Sequence, residues 1–146
     1  SLLFDPEKRI VELDLDDANQ KKRLAAMLKK MLNEELHKAV AYYSDRFGVG
    51  FKRICIKKHR SKWGSCSFRG NLNFNLRLVH LPKSLVWYLA CHEVAHLRVR
   101  GHGKKFWSLV SSEFSNYREM EKKLFEYWFF VQESIKSVFP RDKAVF

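Results

Sequence analysis

The spacing of apolar and polar residues predicts a long amphipathic helix near the start of the chain. Asp16 or Asp17 is the expected N-cap, and apolar side chains then recur at steps of three and four as far as about Ser44. This is the period of a helix with one buried face. Gly48 is expected to end the helix. Before it, residues 8–15 alternate apolar and charged side chains, so we expect a strand with one exposed face.

A small sheet is predicted to follow the long helix. Residues 51–58 alternate as a strand does, and residues 68–71 contain the Gly-Asn pair of a hairpin turn. Residues 72–78 then alternate strictly between apolar and polar, which indicates a further strand in a partly exposed antiparallel sheet. The polar face of that strand carries Asn73, Asn75 and Arg77. Such side chains usually meet solvent, and lining a cleft is the alternative.

A buried helix is predicted in the centre of the chain. It opens near Pro82, a residue suited to the first turn of a helix, and apolar residues occupy most of its circumference as far as Leu97. Three polar residues, His92, Glu93 and His96, interrupt that apolar pattern. Because buried polar groups need partners, these side chains require an explanation, and a bound metal ion supplies one.

Two C-terminal helices complete the predicted architecture. A short helix is expected over residues 104–115. A longer one follows from Tyr117 to Val138, where apolar residues recur at steps of three, four and seven. The segment from Leu124 to Val131 is aromatic on more than one side. We interpret it as packing against the long first helix, with an exposed aromatic patch for a partner subunit as the alternative.

The composition predicts a single cytoplasmic domain spanning residues 1–146. The chain is 46% hydrophobic and can bury a core, and it has no run of about 18 apolar residues that would cross a membrane. The first residues lack the basic start and long apolar stretch of a signal peptide, and three cysteines are an odd number for a disulfide framework. The net charge of +12 favours a polyanionic partner such as nucleic acid or a nucleotide, although a basic surface also serves solubility alone.

The strongest chemical signal is an H-E-x-x-H sequence formed by His92, Glu93 and His96. Two histidines four residues apart lie on the same side of a helix, one turn apart, so both imidazoles can bind one metal ion. Glu93 lies next to the first histidine and can act as general base on a water molecule at that ion. A catalytic zinc site usually has three protein ligands. His102, just past the helix-breaking Gly101, is the best candidate for the third.

The other histidines and the cysteines have no metal-ligand spacing. His37 is expected on the outer face of the first helix, while His59 and His80 lie in connecting segments near the predicted site. Cys91 is expected to point into the core, because it lies about 100° around the helix from the neighbouring histidine. Cys66 is the one thiol that we keep as a neighbour of the site, against a purely structural role.

Several of these motifs together resemble the YgjP-like family of zinc-dependent, metallopeptidase-fold proteins. Members carry a Trp-Gly-Ser-Cys-Ser stretch, which starts here at Trp63, and an Asn-rich strand, which starts at Asn71. They also carry H-E-x-x-H with a further histidine and a Phe-Trp pair, found here between His92 and Trp107. The match covers about half of the chain, residues 52–124. A more distant resemblance is to the SprT/Spartan proteases, which act on proteins bound to DNA.

The resemblance implies a zincin-like α+β fold. Its expected parts are a long N-terminal helix, a small antiparallel sheet, a central zinc-binding helix and C-terminal helices. It also implies Zn²⁺ as the cofactor, with His92, His96 and His102 as metal ligands and Glu93 as the catalytic base.

Two features depart from the patterns of related proteins. The family usually has a longer β-rich segment before the long helix than residues 1–15 provide. The spacing of the three histidines equals that of metzincins, but Val99 stands where that class has glycine. We therefore do not assign the chain to that class, and we expect the chain to turn near Gly101 instead.

The expected function is zinc-dependent hydrolysis, with peptide cleavage as the first hypothesis. Hydrolysis of nucleoside triphosphates on the same zinc site is the second, because lysines and arginines cluster before the site and would bind phosphate. The third is a nucleic-acid-binding module with a structural zinc, although such a site normally has four protein ligands. The group that stabilises the oxyanion is left open among four candidates: Asn73, Asn75, Arg77 and Tyr88.

Overall fold

The computed structural model describes residues 18–138, with side chains described for residues 18–131. The strand expected over residues 8–15 and the cap at Asp16 or Asp17 lie outside these described residues. The elements in chain order are α1 (Ala18–Phe47), β1 (Arg53–Lys57), β2 (Gly64–Cys66), β3 (Asn71–Asn75), a short 3-10 helix (Leu76–His80), α2 (Lys83–Ala95), α3 (Lys104–Glu113) and α4 (Tyr117–Val138).

The first helix, α1, buries one apolar face along its length, as its sequence predicts. Leucines at intervals of four form much of this face: Leu24, Leu28, Leu32 and Leu36. The helix ends where Gly48 has a φ of 64°, a conformation that glycine adopts without strain. The indole N–H of Trp87 donates to Glu35 Oε1 at 2.8 Å. This hydrogen bond joins α2 to α1.

The three strands form one mixed sheet in the order β1-β3-β2. β2 and β3 are antiparallel and are joined by the expected hairpin turn, in which Gly70 has a φ of 91°. β1 pairs in parallel with β3, with Ile54 opposite Leu72. The expectation of an antiparallel sheet is therefore wrong for this pair. The reason is that the β2–β3 hairpin places β3 in the centre of the sheet, running in the same direction as β1.

The alternation over residues 72–78 does not continue as a strand. β3 ends at Asn75, whose Oδ1 accepts a hydrogen bond from the backbone N–H of Arg77 at 2.9 Å and caps the 3-10 helix. The side chains of Asn75 and Arg77 have no exposed surface, so the expectation that they meet solvent or line a cleft is wrong for these two residues. They hold the β1–β2 loop instead: the carbonyl oxygen of His59 accepts from Arg77 Nη1 at 2.8 Å and from Asn75 Nδ2 at 3.1 Å.

The central helix, α2, is buried as predicted, and it packs against α1, α3, α4 and β2. Its regular part ends at Ala95, two residues earlier than the apolar pattern suggests, with His96 as C-cap. No helix within residues 18–138 combines the length and the apolar character needed to cross a membrane.

The last helix, α4, has one buried and one exposed apolar side. Met120, Leu124 and Val131 are buried, and the helix packs against α1, α2 and the 3-10 helix. This confirms the predicted packing of α4 against α1, although the exposed aromatic side chains of the alternative are also present. Three phenylalanines on its other side are between 62% and 74% exposed: Phe125, Phe129 and Phe130.

Candidate metal centre and active site

Three histidine side chains converge beside the C-terminal end of α2. Nε2 of His102 lies 3.1 Å from Nε2 of His96 and 3.3 Å from Nε2 of His92, and one nitrogen from each ring lies within 4.8 Å of the other two. Nitrogen ligands at 2.0–2.1 Å from a tetrahedral ion are about 3.3 Å apart. The spacing of these three atoms therefore fits a single metal ion.

The loop between α2 and α3 brings His102 back to the helix. Gly101 has a φ of 77°, which confirms the turn expected at this glycine. Arg100 connects the loop to two other elements. Its Nη1 donates to the carbonyl oxygen of His96 at 3.3 Å, and its Nη2 donates to the carbonyl oxygen of Cys66 at 3.0 Å. The position of His102 is thereby tied both to α2 and to the edge strand β2.

The Phe-Trp pair at the start of α3 supports two of the three rings. Phe106, which is fully buried, stacks on His96 with ring centroids 4.3 Å apart and planes inclined by 18°. Trp107 stacks on His102 at 5.8 Å and 28°. The sequence predicts only that these aromatics belong to a short helix, and the structure adds that they contact the imidazole rings.

Hydrogen bonds on the outer side of the cluster set the orientation of two rings. His92 Nδ1 lies 2.9 Å from Glu121 Oε2, and His96 Nδ1 lies 3.2 Å from the carbonyl oxygen of Val99. A carbonyl or carboxylate oxygen accepts, so each Nδ1 carries the proton and each Nε2 presents a lone pair to the centre. Histidines that bind metals usually donate their other N–H in this way. The donor set therefore suits a cation.

The pKa values of these rings reflect the same contacts. Burial lowers the pKa of His96 to about 4, so this ring is neutral near pH 7. Burial also lowers the pKa of His92, but its hydrogen bond to Glu121 and the charge of Glu93 outweigh burial and raise the pKa overall.

Glu93 lies against the edge strand β2 and is 5% exposed. A Cβ atom at Gly64 would lie 3.3 Å from Glu93 Oε2 and 3.0 Å from the carbonyl oxygen of Asn73, so this approach depends on glycine. Burial raises the pKa of Glu93 to about 7, and the charge of His92 opposes that rise. A buried carboxylate whose pKa lies near neutrality suits proton transfer.

Glu121 is the functional neighbour that sequence reasoning missed. Its carboxylate accepts a hydrogen bond from the Tyr88 hydroxyl as well as from His92. Glu121 is 29 residues from His92 in the chain and looks like an ordinary polar position of an amphipathic helix. No local signal in a single sequence distinguishes it.

The four candidate oxyanion donors already make contacts within the protein. Tyr88 is buried and donates to Glu121, while Asn75 and Arg77 are buried in the contacts described above. Asn73 is half-buried and donates to Ser65 Oγ at 3.4 Å. None of the four is therefore assigned the oxyanion role.

The remaining histidines and cysteines lie outside the three-histidine group. His37 is exposed and bonds within α1, and Cys91 is fully buried, as expected. Cys66 does neighbour the site, because Arg100 Nη1 lies 3.5 Å from its sulfur. Burial nevertheless raises the pKa of its thiol, which does not favour a reactive thiolate.

A three-histidine cluster with a buried glutamate, carried by a long helix, a small sheet and C-terminal helices, defines a zincin-like metallopeptidase fold. The fold is similar to that in two crystal structures of metallopeptidase zymogens. Abylysin from Pyrococcus abyssi is 20% identical, with a TM-score of 0.58 over 63% of this chain and 93% of that chain. Jannalysin from Methanocaldococcus jannaschii is 25% identical, with a TM-score of 0.57 over 64% and 89%.

The sequence profile of the YgjP-like metallopeptidase domain matches residues 3–127, and the chain belongs to this family. It is accordingly a metal-dependent, peptidase-like hydrolase. No curated protein matches the chain significantly.

Proposed function

We propose that this protein is a zinc-dependent peptidase in which His92, His96 and His102 hold the zinc ion and Glu93 is the general base. The observation that carries the proposal is the convergence of the three Nε2 atoms, with two of the rings donating outward through Nδ1. Three imidazole ligands with tetrahedral spacing are typical of catalytic zinc. A structural zinc normally has four protein ligands, and three metal-binding side chains converge here among the described residues.

Zinc held by these ligands would supply a Lewis acid that polarises a water molecule and the substrate carbonyl. Glu93 then takes a proton from the attacking water and delivers it to the departing amine. Its burial against Gly64 keeps competing solvent away from the carboxylate. The surrounding loop and α3 hold the histidine rings still during this transfer, through Arg100 and Phe106.

The position of β2 favours a peptide as the substrate. β2 is an edge strand of the sheet, and its Gly64 borders Glu93. Edge strands offer backbone hydrogen-bonding groups to an extended chain. A peptide aligned with β2 would pass beside the proposed base, and backbone pairing would then position the scissile bond.

The test compares the zinc-loaded wild type with Glu93→Gln on a denatured protein and on internally quenched peptides. We expect Glu93→Gln to keep its zinc and to lose at least about 100-fold in kcat, because a general base contributes roughly 10²–10⁴-fold. Glu126→Gln, an exposed glutamate of α4, is the matched control and should keep full activity. Full activity in Glu93→Gln would contradict the assigned role.

A second arm of the test separates peptidase from nucleotide hydrolase. The same zinc-loaded protein is incubated with nucleoside triphosphates, and phosphate release is measured. Phosphate release without peptide cleavage would contradict the proposed function and favour the triphosphate alternative.

A further inference from the structure

An open cleft of about 560 Å³ lies beside His102, between α3 and the start of α4. Its lining contains no acidic residue and combines two cations with two aromatic side chains: Lys104, Arg118, Trp107 and Tyr117. A neighbouring cleft of about 490 Å³ shares Lys104, adds Arg98 and Lys105, and also lacks acidic residues. The surface next to the proposed metal ligand is therefore strongly cationic.

A row of stacked planar groups leads from the metal centre into this cleft. Trp107 stacks on His102 at 5.8 Å and on Tyr117 at 4.9 Å, the latter with planes inclined by 18°. The guanidinium of Arg118 lies over the Tyr117 ring, 5.3 Å from its centroid. Trp107 and Tyr117 are thus both engaged in stacking contacts, and their edges can still contact a ligand. Aromatic edges carry partial positive charge, so they add to the attraction for an anion.

The carboxylates nearest to this cleft in the sequence are engaged elsewhere. Glu113 Oε2 pairs with Arg46 at 2.8 Å, and Glu119 Oε1 pairs with Lys123 at 3.2 Å. Glu121 accepts from His92 and Tyr88. Lys104 and Arg118 consequently have no ion-pair partner among the side chains that the structure describes, residues 18–131.

The distribution of charged residues along the chain also indicates a cationic surface around the site. From Arg46 to Ser112 the sequence contains fourteen lysines and arginines and one acidic residue, Glu93. This segment supplies the sheet, α2, the His102 loop and most of α3. The acidic residues of the described chain lie mainly on α1 and α4. The part of the molecule that surrounds the site is therefore the part that attracts anions.

We propose that the cleft binds a carboxylate of the peptide substrate. The enzyme would then prefer peptides that carry an acidic group at some distance along the chain from the scissile bond. This inference rests on the proposed peptidase function. A carboxylate suits Lys104 and Arg118 and the aromatic edges beside them. A nucleobase would need an open ring face on which to stack, and Trp107 and Tyr117 already stack on their neighbours.

The experiment uses the zinc-loaded full chain and a series of amidated, internally quenched peptides. Asp is moved through successive positions, and each peptide is compared with its Asn counterpart. A further pair with a free or an amidated C-terminus distinguishes a terminal carboxylate from a side-chain carboxylate. We expect one position, or the free terminus, to raise kcat/KM about fivefold, as befits partly solvated ion pairs. Added salt should reduce this preference.

The double variant Lys104→Gln/Arg118→Gln should bring the ratio of acidic to neutral substrate close to one. Lys122→Gln removes an exposed cation one turn further along α4, and it should keep the wild-type ratio. A wild type without any acidic preference would overturn the proposal, as would a double variant that keeps the preference.

Two further outcomes separate this proposal from the peptidase function itself. If no peptide is cleaved, the proposed function fails, and the cleft is then tested by fluorescence anisotropy of the same peptides. Equal affinity for the Asp and Asn forms would overturn the carboxylate site as well. A single-stranded oligonucleotide that displaces the acidic peptide, and whose binding the double variant abolishes, would overturn the peptide assignment in favour of nucleic acid.

Discussion

Glu121 connects two residues of the central helix with α4. Its carboxylate accepts hydrogen bonds from His92 Nδ1 at 2.9 Å and from the Tyr88 hydroxyl. Burial raises the pKa of this carboxyl group, but the hydrogen bond and the charge of His92 outweigh burial, so the pKa is lowered overall. An ionised Glu121 fixes the tautomer of His92 and makes its Nε2 a better electron donor to a metal.

Replacing Glu121 with glutamine is expected to weaken zinc binding about 10–100-fold, which is the usual effect of removing the hydrogen-bond acceptor of a metal-binding histidine. Competition with a chromophoric chelator measures this affinity directly and does not depend on turnover. Glu126→Gln, also on α4 but exposed, should bind zinc as the wild type does. An unchanged zinc affinity in Glu121→Gln would show that Glu121 does not position His92.

The sequence alone predicts those site residues whose signal is local. His92, Glu93 and His96 are marked by helical spacing, and His102 by the glycine before it. Glu121 is not marked, because its role arises from the packing of α4 against α2, and only the folded chain brings the two residues together. The oxyanion donor stays a prediction without an assigned residue, because residue type alone does not reveal which polar side chains already have partners in the fold.

At the scale of elements, the edge strand β2 and the helix α2 meet with little space between them. Gly64 lies close to both of its neighbours: an added Cβ would lie 3.0 Å from the carbonyl oxygen of Asn73 and 3.3 Å from Glu93 Oε2, so one of them would have to shift. Arg100 ties β2 to the end of α2, which restrains the strand from moving away from the helix. The location of the proposed base therefore depends on a glycine in another element.

Gly64→Ala is expected to displace the Glu93 carboxylate and to lower kcat at least about tenfold, since small misplacements of a catalytic group cost up to about 10². Zinc affinity should stay near the wild-type value, because the ligands are not touched. Gly50→Ala is the matched control: no atom lies within 4 Å of its added Cβ, and its activity should be normal. Equal losses in both variants would argue against the contact between Gly64 and Glu93.

The 3-10 helix shows why an alternating pattern misleads. Residues 72–78 alternate as a strand would, but Asn75 caps a helical turn and Arg77 turns inward to the carbonyl oxygen of His59. The guanidinium of Arg77 also lies 5.5 Å from the centroid of Trp128. These partners come from a loop and from α4, so a pattern confined to seven residues cannot represent them.

Arg77→Lys is expected to lower the free energy of unfolding by about 1–3 kcal/mol, because lysine lacks the planar fork that reaches a buried carbonyl group and stacks on an aromatic ring. Urea denaturation of the zinc-loaded protein measures this loss. Arg53→Lys, at an exposed position of β1, should change stability little. Unchanged stability in Arg77→Lys would contradict the structural role of the guanidinium.

The three-histidine cluster joins segments that are far apart in the chain. His92 belongs to α2, His96 is the C-cap of α2, and His102 belongs to the following loop. Glu121 reaches the cluster from α4. A bound ion would therefore stabilise the packing of α2, α3 and α4 together.

Zinc is therefore expected to raise the melting temperature of the metal-free protein by about 5–10 °C at a free concentration near 100 times its Kd. A ligand at that concentration adds about 2.7 kcal/mol to the stability of a folded chain. His102→Ala should lose most of this increase, since it removes one ligand from an exposed loop and leaves the core intact. His37→Ala, which removes an exposed histidine of α1, should keep it. Scanning calorimetry of all three chains, with and without zinc, gives the comparison, and an equal increase in His102→Ala would place the ion elsewhere.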